Sequence, residues 1–116
     1  MKQMASLVDN LDYNEVTIAS GQTVSSVVDL AGYGLVGIIM PAAFTGATIS
    51  FQISHNNVDF QACYNTANTL MSATVTQGRT YMLAPTDLIG ARYLKIVSAS
   101  AEGAARTIGL ISRELQ

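Results

Sequence analysis

At 116 residues and 12.3 kDa the chain has the length of one domain, and a chain of that size buries roughly two-thirds of its unfolded surface, enough for a core without staples. Only six basic and eight acidic residues give a net charge of -2, about half the usual charged fraction, and six scattered cations make no track for a phosphate backbone, which excludes nucleic acid as a partner. Ser and Thr (21 together) and Ala (15) cover the surface instead, a composition suited to packing against other protein.

The chain opens with MKQMASLVDNLDY, which has no apolar run of signal-peptide length. Residues 1–13 fall outside any regular pattern. With Leu7, Val8, Leu11 and Tyr13 among polar neighbours they read either as an arm that docks on a partner or as a terminus that packs on its own sheet. Residues 14–116 then form the domain proper. Short β-branched runs separated by Gly, Asn, Ser and Pro predict strands at 15–19, 23–29, 34–40, 47–54, 58–64, 72–76, 79–84, 91–98 and 106–113. Nine short strands in about 100 residues predict two packed antiparallel sheets, an all-β sandwich of jelly-roll type with eight or nine strands and a short N-terminal arm.

Between these elements Ser20-Gly21-Gln22, Ala31-Gly32-Tyr33-Gly34 and Gln77-Gly78-Arg79 read as tight turns. Residues 85–90 (PTDLIG) suit a short helical turn capped by Thr86 or Asp87. The segment 35–40, Leu-Val-Gly-Ile-Ile-Met, has no polar face, so it is either central and covered on both sides or lies at a subunit contact. The apolar stretch 34–44 contains Pro41 and is about half a membrane span in length, which excludes a helical span there. The single Cys63 excludes an intrachain disulfide. Together these features predict a protein made in a cytoplasm and soluble there or in an assembly.

Residues 49–64, ISFQISHNNVDFQACY, hold both the only histidine and the only cysteine. Ile49, Phe51 and Ile53 alternate with polar residues and point to the core. Asn56-Asn57 suit a hairpin turn. A nucleophile at Cys63 would need His55 as its base, but in a hairpin turning at 56–57 the two diverge, and a small buried cysteine accounts for the position better. Asp59, Asn56 and Asn57 lack calcium-loop spacing, and one Cys and one His make no zinc site. Asp9, Asp12, Glu15, Asp29, Asp59, Asp87, Glu102 and Glu114 fall at inferred loops, turns or strand ends, where solvated surface is the expectation rather than a hydrolase pair. No catalytic, cofactor-binding or metal residues are assigned. Tyr33 is the best exposed aromatic for a sugar platform.

Two stretches carry a likeness. Ser50 to Phe60 resembles the hairpin of galactose-binding-like β-sandwiches, and Ala91-Arg92-Tyr93-Leu94-Lys95-Ile96 resembles their late strand. A closer likeness, through Thr17–Thr23, Phe44–Ser54 and Ala91–Ile96, is to small proteins of tailed bacteriophages. That resemblance implies a non-enzymatic virion structural protein, a capsid decoration or cement protein made in the host cytoplasm. Its partners would be the major capsid protein or another virion protein and its own copies as a dimer or trimer, with no nucleic acid, membrane or cofactor. The alternative is a carbohydrate-binding adhesion module of a head or tail fibre, presenting Tyr33 and His55-Asn56-Asn57 to a host glycan. The sugar-binding relatives' Trp and basic or aromatic loop residues are missing, so no binding residue carries over.

Overall fold

Alternation along each strand decides which of its faces is dry. In the computed structural model, which describes residues 11–84, 87, 88 and 90–114, Ile49 and Phe51 are buried and Ile53 packs at the margin of the core. Thr48, Ser50 and Gln52 point the other way. Nine strands form: β1 (Leu11–Ile18), β2 (Val28–Asp29), β3 (Tyr33–Ile39), β4 (Thr48–Ser54), β5 (Gln61–Ala62), β6 (Ser72–Thr74), β7 (Thr80–Met82), β8 (Tyr93–Ser98) and β9 (Arg106–Glu114). The described residues contain no helix.

The strands make two antiparallel sheets, ordered β1-β9-β3-β7 and β2-β8-β4-β5, with β6 also on β4. Strands β1 to β4 alternate between the sheets, and the later strands return against them as β3–β7, β2–β8 and β1–β9. This is the wrapping of a long hairpin rolled into a sandwich, the jelly-roll connectivity. Val16, Ile18, Ile38, Ile108 and Leu110 from one sheet meet Ile49, Phe51, Leu94 and Ile96 from the other, with Phe44 and Leu88 closing the core. Burying each such side chain contributes about 1.5–3 kcal/mol.

Strand β3 lies inside its sheet, between β9 and β7, and its inward side chains enter the core. Leu35, Ile38 and Met40 are in the core, and a register shift between Leu35 and Gly37 absorbs Val36. On the outer face a Cβ at Gly37 would lie 3.2 Å from Ile111 Cδ1 and 3.3 Å from Met82 Sδ, and one at Gly109 would lie 2.8 Å from Tyr13 Oη. The side chains of Tyr13, Ile111 and Met82 thus lie down over the two glycines. Tyr13 remains 53% exposed, Leu11 53% and Met82 68%, so the outer face carries an open apolar patch, bordered by Glu15 opposite Gly109 and Thr17 opposite Thr107.

Three expected elements differ. Leu11, Asp12 and Tyr13 pair with Arg113, Ser112 and Ile111, so β1 begins inside the segment read as an arm; the rest of that segment, 1–10, lies outside the described residues. The strand read at 23–29 is regular only at Val28–Asp29. Ser25 Oγ takes the Ile96 amide at 2.9 Å and Ser26 Oγ takes the Thr17 amide at 3.0 Å, so two serines replace ladder bonds and turn the segment across the corner between the sheets. The strand read at 58–64 shrinks to Gln61–Ala62. From Tyr64 to Leu70 the chain leaves β4 as a small hairpin and returns as β6. The turn expected over 85–90 lies partly outside the described residues. The tight turns hold, with Gly21 at φ +79° and Gly78 at φ +72° in the left-handed region that favours glycine.

Glu102 overturns the expectation of a solvated carboxylate. It is 1% exposed, and its carboxylate accepts hydrogen bonds from the Thr45 amide, the Thr45 hydroxyl, the Gly46 amide and Arg106 Nε, each at 3.0 Å. Its backbone carbonyl accepts the Gly21 amide at 2.8 Å. This one residue, through its side chain and its carbonyl, thereby ties together three loops at one end of the sandwich. The same packing explains Gly46, where a Cβ would lie 2.6 Å from Ser98 Oγ. Gly46→Val is expected to lower the thermal midpoint, read by circular dichroism, because the branched side chain forces this joint apart. Ser112 is the opposite case. Its hydroxyl is buried without a hydrogen-bond partner among the described residues, so Ser112→Ala is expected to be neutral or stabilising by up to about 1 kcal/mol in urea titration.

Candidate functional site

The stretch 49–64 builds β4, a loop and β5, with Gln52 opposite Ala62 and Ile53 opposite Gln61. The loop is longer than a two-residue turn because side chains organise it. Ser54 Oγ accepts the amides of Asn56 and Asn57 at 3.2 and 3.0 Å, and Asn56 Oδ1 accepts those of Val58 and Asp59 at 3.0 and 2.9 Å. These bonds take up the Val58 and Asp59 amides, at the start of the expected strand, so β5 begins only at Gln61. Asn57 sits at φ +62°, a conformation asparagine tolerates. Asn56 Nδ2 then donates to Asp59 Oδ2 at 3.0 Å, fixing that carboxylate.

His55, Asp59 and Cys63, the three rare or reactive residues of this stretch, line one groove of about 430 Å³. Ile53, Ala62 and Cys63 give it apolar surface, Gln61 an amide and Tyr64 an aromatic ring. Gly90 and Ala91, from the turn before β8, complete it. No hydrogen bond joins His55 to Asp59 or to Cys63, and the Cys63 thiol lies 3.5 Å from Met71 Sδ. Burial pushes that thiol's pKa up, which keeps it protonated and a poor nucleophile. Cys63→Ala and His55→Ala are each expected to leave the fold intact, with a stability change below about 1.5 kcal/mol by thermal melt.

Other sequence candidates separate from this groove. Tyr33 opens β3, is half-buried and does not line it. Among the described residues no group of three or more His, Cys, Asp or Glu side chains is placed to hold a metal ion. Asp29 sits on the surface with Arg92 Nε 3.1 Å away; that guanidinium, with the Ala31 amide, holds its pKa below the usual carboxylate range. A second cleft of about 300 Å³ lies beside the 63–71 hairpin and is lined chiefly by Phe51, Leu70, Met71, Leu83 and Leu88. Tyr64, 54% exposed, is one of the groove residues that sequence reasoning missed. The available signal was its place directly before the turn-forming Asn65-Thr66-Ala67-Asn68, where a strand face loses its cover.

The connectivity and burial define the chain as a jelly-roll β-sandwich with two surface features, an apolar sheet face and a mixed groove. No protein-family model and no curated protein matches it. Among solved structures, the SPBc2 prophage-derived protein YomS matches with a TM-score of 0.53 at 15% identity, over 88% of this chain and 94% of that one. At that identity the likeness is one of fold. The Yersinia pseudotuberculosis-derived mitogen (YPM), with a TM-score of 0.41 at 13% identity over 92% of this chain and 87% of that one, is too loose a match to carry an argument.

Proposed function

We propose that the chain is a non-enzymatic phage virion protein, a capsid decoration protein that cements neighbouring head subunits. The observation that carries this reading is the outer face of the β1-β9-β3-β7 sheet. Leu11, Tyr13, Ile39, Ile111 and Met82 give it an open apolar patch over the buried glycines 37 and 109, with Glu15 accepting the Tyr13 hydroxyl at 2.9 Å beside it. A cementing molecule needs a stiff body with a face that releases water when it meets protein, and open apolar faces of this kind mark protein contacts. The low surface charge removes much of the desolvation cost of such contacts. The fold shared with a prophage-derived protein supports the phage setting. In this reading the partners are the major capsid protein and further copies of the chain as a dimer or trimer, assembled on the virion after synthesis in the host cytoplasm.

The test is co-sedimentation of the purified chain with phage head shells that lack it. Saturable binding is expected. Met82→Lys, at the most exposed apolar position of the face, should weaken it about tenfold or more while circular dichroism stays unchanged. A monomer with no affinity for purified shells would overturn the proposal.

A further inference from the structure

The groove beside β5 is built on a different side chain set from the apolar sheet face and is not used by the cementing role. Four observations give it the character of a binding site. Its loop is held in one shape by the Ser54 and Asn56 side chains, so the groups it presents are preorganised. Asp59 has Oδ2 occupied by Asn56, while its Oδ1 accepts nothing among the described residues and is available as an acceptor. Tyr64, 54% exposed, brings an aromatic side chain to the groove lining. Gly90 lines the groove, and an added Cβ there would meet nothing within 4 Å, so a larger side chain can be placed at its edge without a clash.

The chemistry of the lining selects the ligand. Among the described residues no Lys or Arg lines the groove and one carboxylate does, which disfavours phosphates and other anions. One carboxylate alone is also too little to hold a cation. What remains is a neutral molecule with one apolar face and a rim of hydroxyls. Its C–H face would pack on Tyr64 and the apolar surface of Ala62 and Cys63. Its hydroxyls would donate to Asp59 Oδ1 and exchange hydrogen bonds with His55 and Gln61, the pairing of apolar contact with a few placed polar groups that small-molecule sites use. The volume of about 430 Å³ lies within the range of such sites. We infer that this groove binds a neutral sugar ring, the exposed unit of an uncharged surface polysaccharide, in addition to whatever the sheet face holds.

The experiment uses the full chain alone in solution, so its outcome is independent of shell binding. Amide chemical shifts are followed by NMR while glucose, galactose, mannose or N-acetylglucosamine is titrated to millimolar excess, with glucose 6-phosphate as the anionic comparison. Saturable shifts confined to residues 53–64 and 90–91 are expected for at least one neutral sugar, with the anionic one weaker. Asp59→Ala should weaken binding about tenfold, the loss of one hydrogen bond to a charged acceptor. Because Asp59 also meets Asn56, Gly90→Phe provides a second variant that fills the groove and leaves the loop bonds untouched; it should abolish the shifts while the rest of the spectrum is unchanged. The inference is overturned if none of the four sugars shifts these residues, if the shifts map elsewhere, or if binding survives Gly90→Phe in a folded protein.

Discussion

Glu102→Ala is expected to cost about 3–5 kcal/mol of folding stability, the penalty for breaking a buried charge pair by removing one partner. The loss reaches beyond the pair with Arg106. The Thr45 and Gly46 amides would be left buried or half-buried with no acceptor, and the Arg106 guanidinium, whose side chain is only 16% exposed, would lose its counter-charge. In urea titration the transition midpoint should fall sharply with the slope unchanged. A loss below about 1 kcal/mol would show that this joint holds nothing together. The same carboxylate gives stability a pH dependence of known sign. Burial alone would raise its pKa, but the Thr45 amide, Arg106, the Thr45 hydroxyl and the Gly46 amide outweigh burial and hold it below the ordinary value. The native state therefore binds this proton less readily than the unfolded chain, so the stabilisation is present above the unfolded pKa and drains away as pH falls through the depressed one. Glu102→Gln should flatten that acid limb. Asp29 contributes to the same limb in the same direction through exposed Arg92, and added salt should screen it selectively.

That Glu102 escaped the sequence reading has a physical cause. A charged residue in Ala-Ser-Ala-Glu-Gly-Ala-Ala looks solvated because its partners, Thr45 and Gly46, lie 57 and 56 residues away, and only the rolled connectivity brings them together. The core strands were legible because alternation is local: Ile49, Phe51 and Ile53 declare their face within five residues. Strand 35–40 was legible as apolar on both faces; the structure places it inside its sheet, between β9 and β7, with Tyr13, Ile111 and Met82 laid over the sheet's glycines and still partly exposed. The overlong readings at 23–29 and 58–64 share one reason. Ser25, Ser26, Ser54 and Asn56 compete for backbone amides, and periodicity of apolar residues does not register that competition. For the groove, the residues were noticed but their assembly was not: His55 and Cys63 were expected to diverge around a two-residue turn, whereas the side-chain-built loop lets both line one groove.

Phe51→Ala is the second large effect, expected at about 3–5 kcal/mol. Phe51 is 3% exposed and sits mid-strand in β4, opposite Ile96 of β8 and receiving the Cys63 amide on its carbonyl. Its ring projects from one sheet into the space between the two, so truncation removes contacts to both sheets at once. The value within the range depends on whether the surroundings can collapse. The ring also borders the cleft lined by Leu70, Met71, Leu83 and Leu88, and Met71 is unbranched and adaptable enough to move inward. Relaxation through that cleft would bring the cost toward the lower end, whereas a rigid wall would leave a void and push it toward the upper end. Phe51→Leu discriminates these cases: a loss near that of alanine means a wall that cannot follow the smaller side chain, and a loss below about 1.5 kcal/mol means that Met71 and Leu88 close over it. Val58, 76% exposed on the loop that follows the same strand, supplies the control. Val58→Ala should change stability by no more than about 0.5 kcal/mol. If it cost as much as Phe51→Ala, the division of residues 49–64 into a core strand and a solvent-facing loop would be wrong.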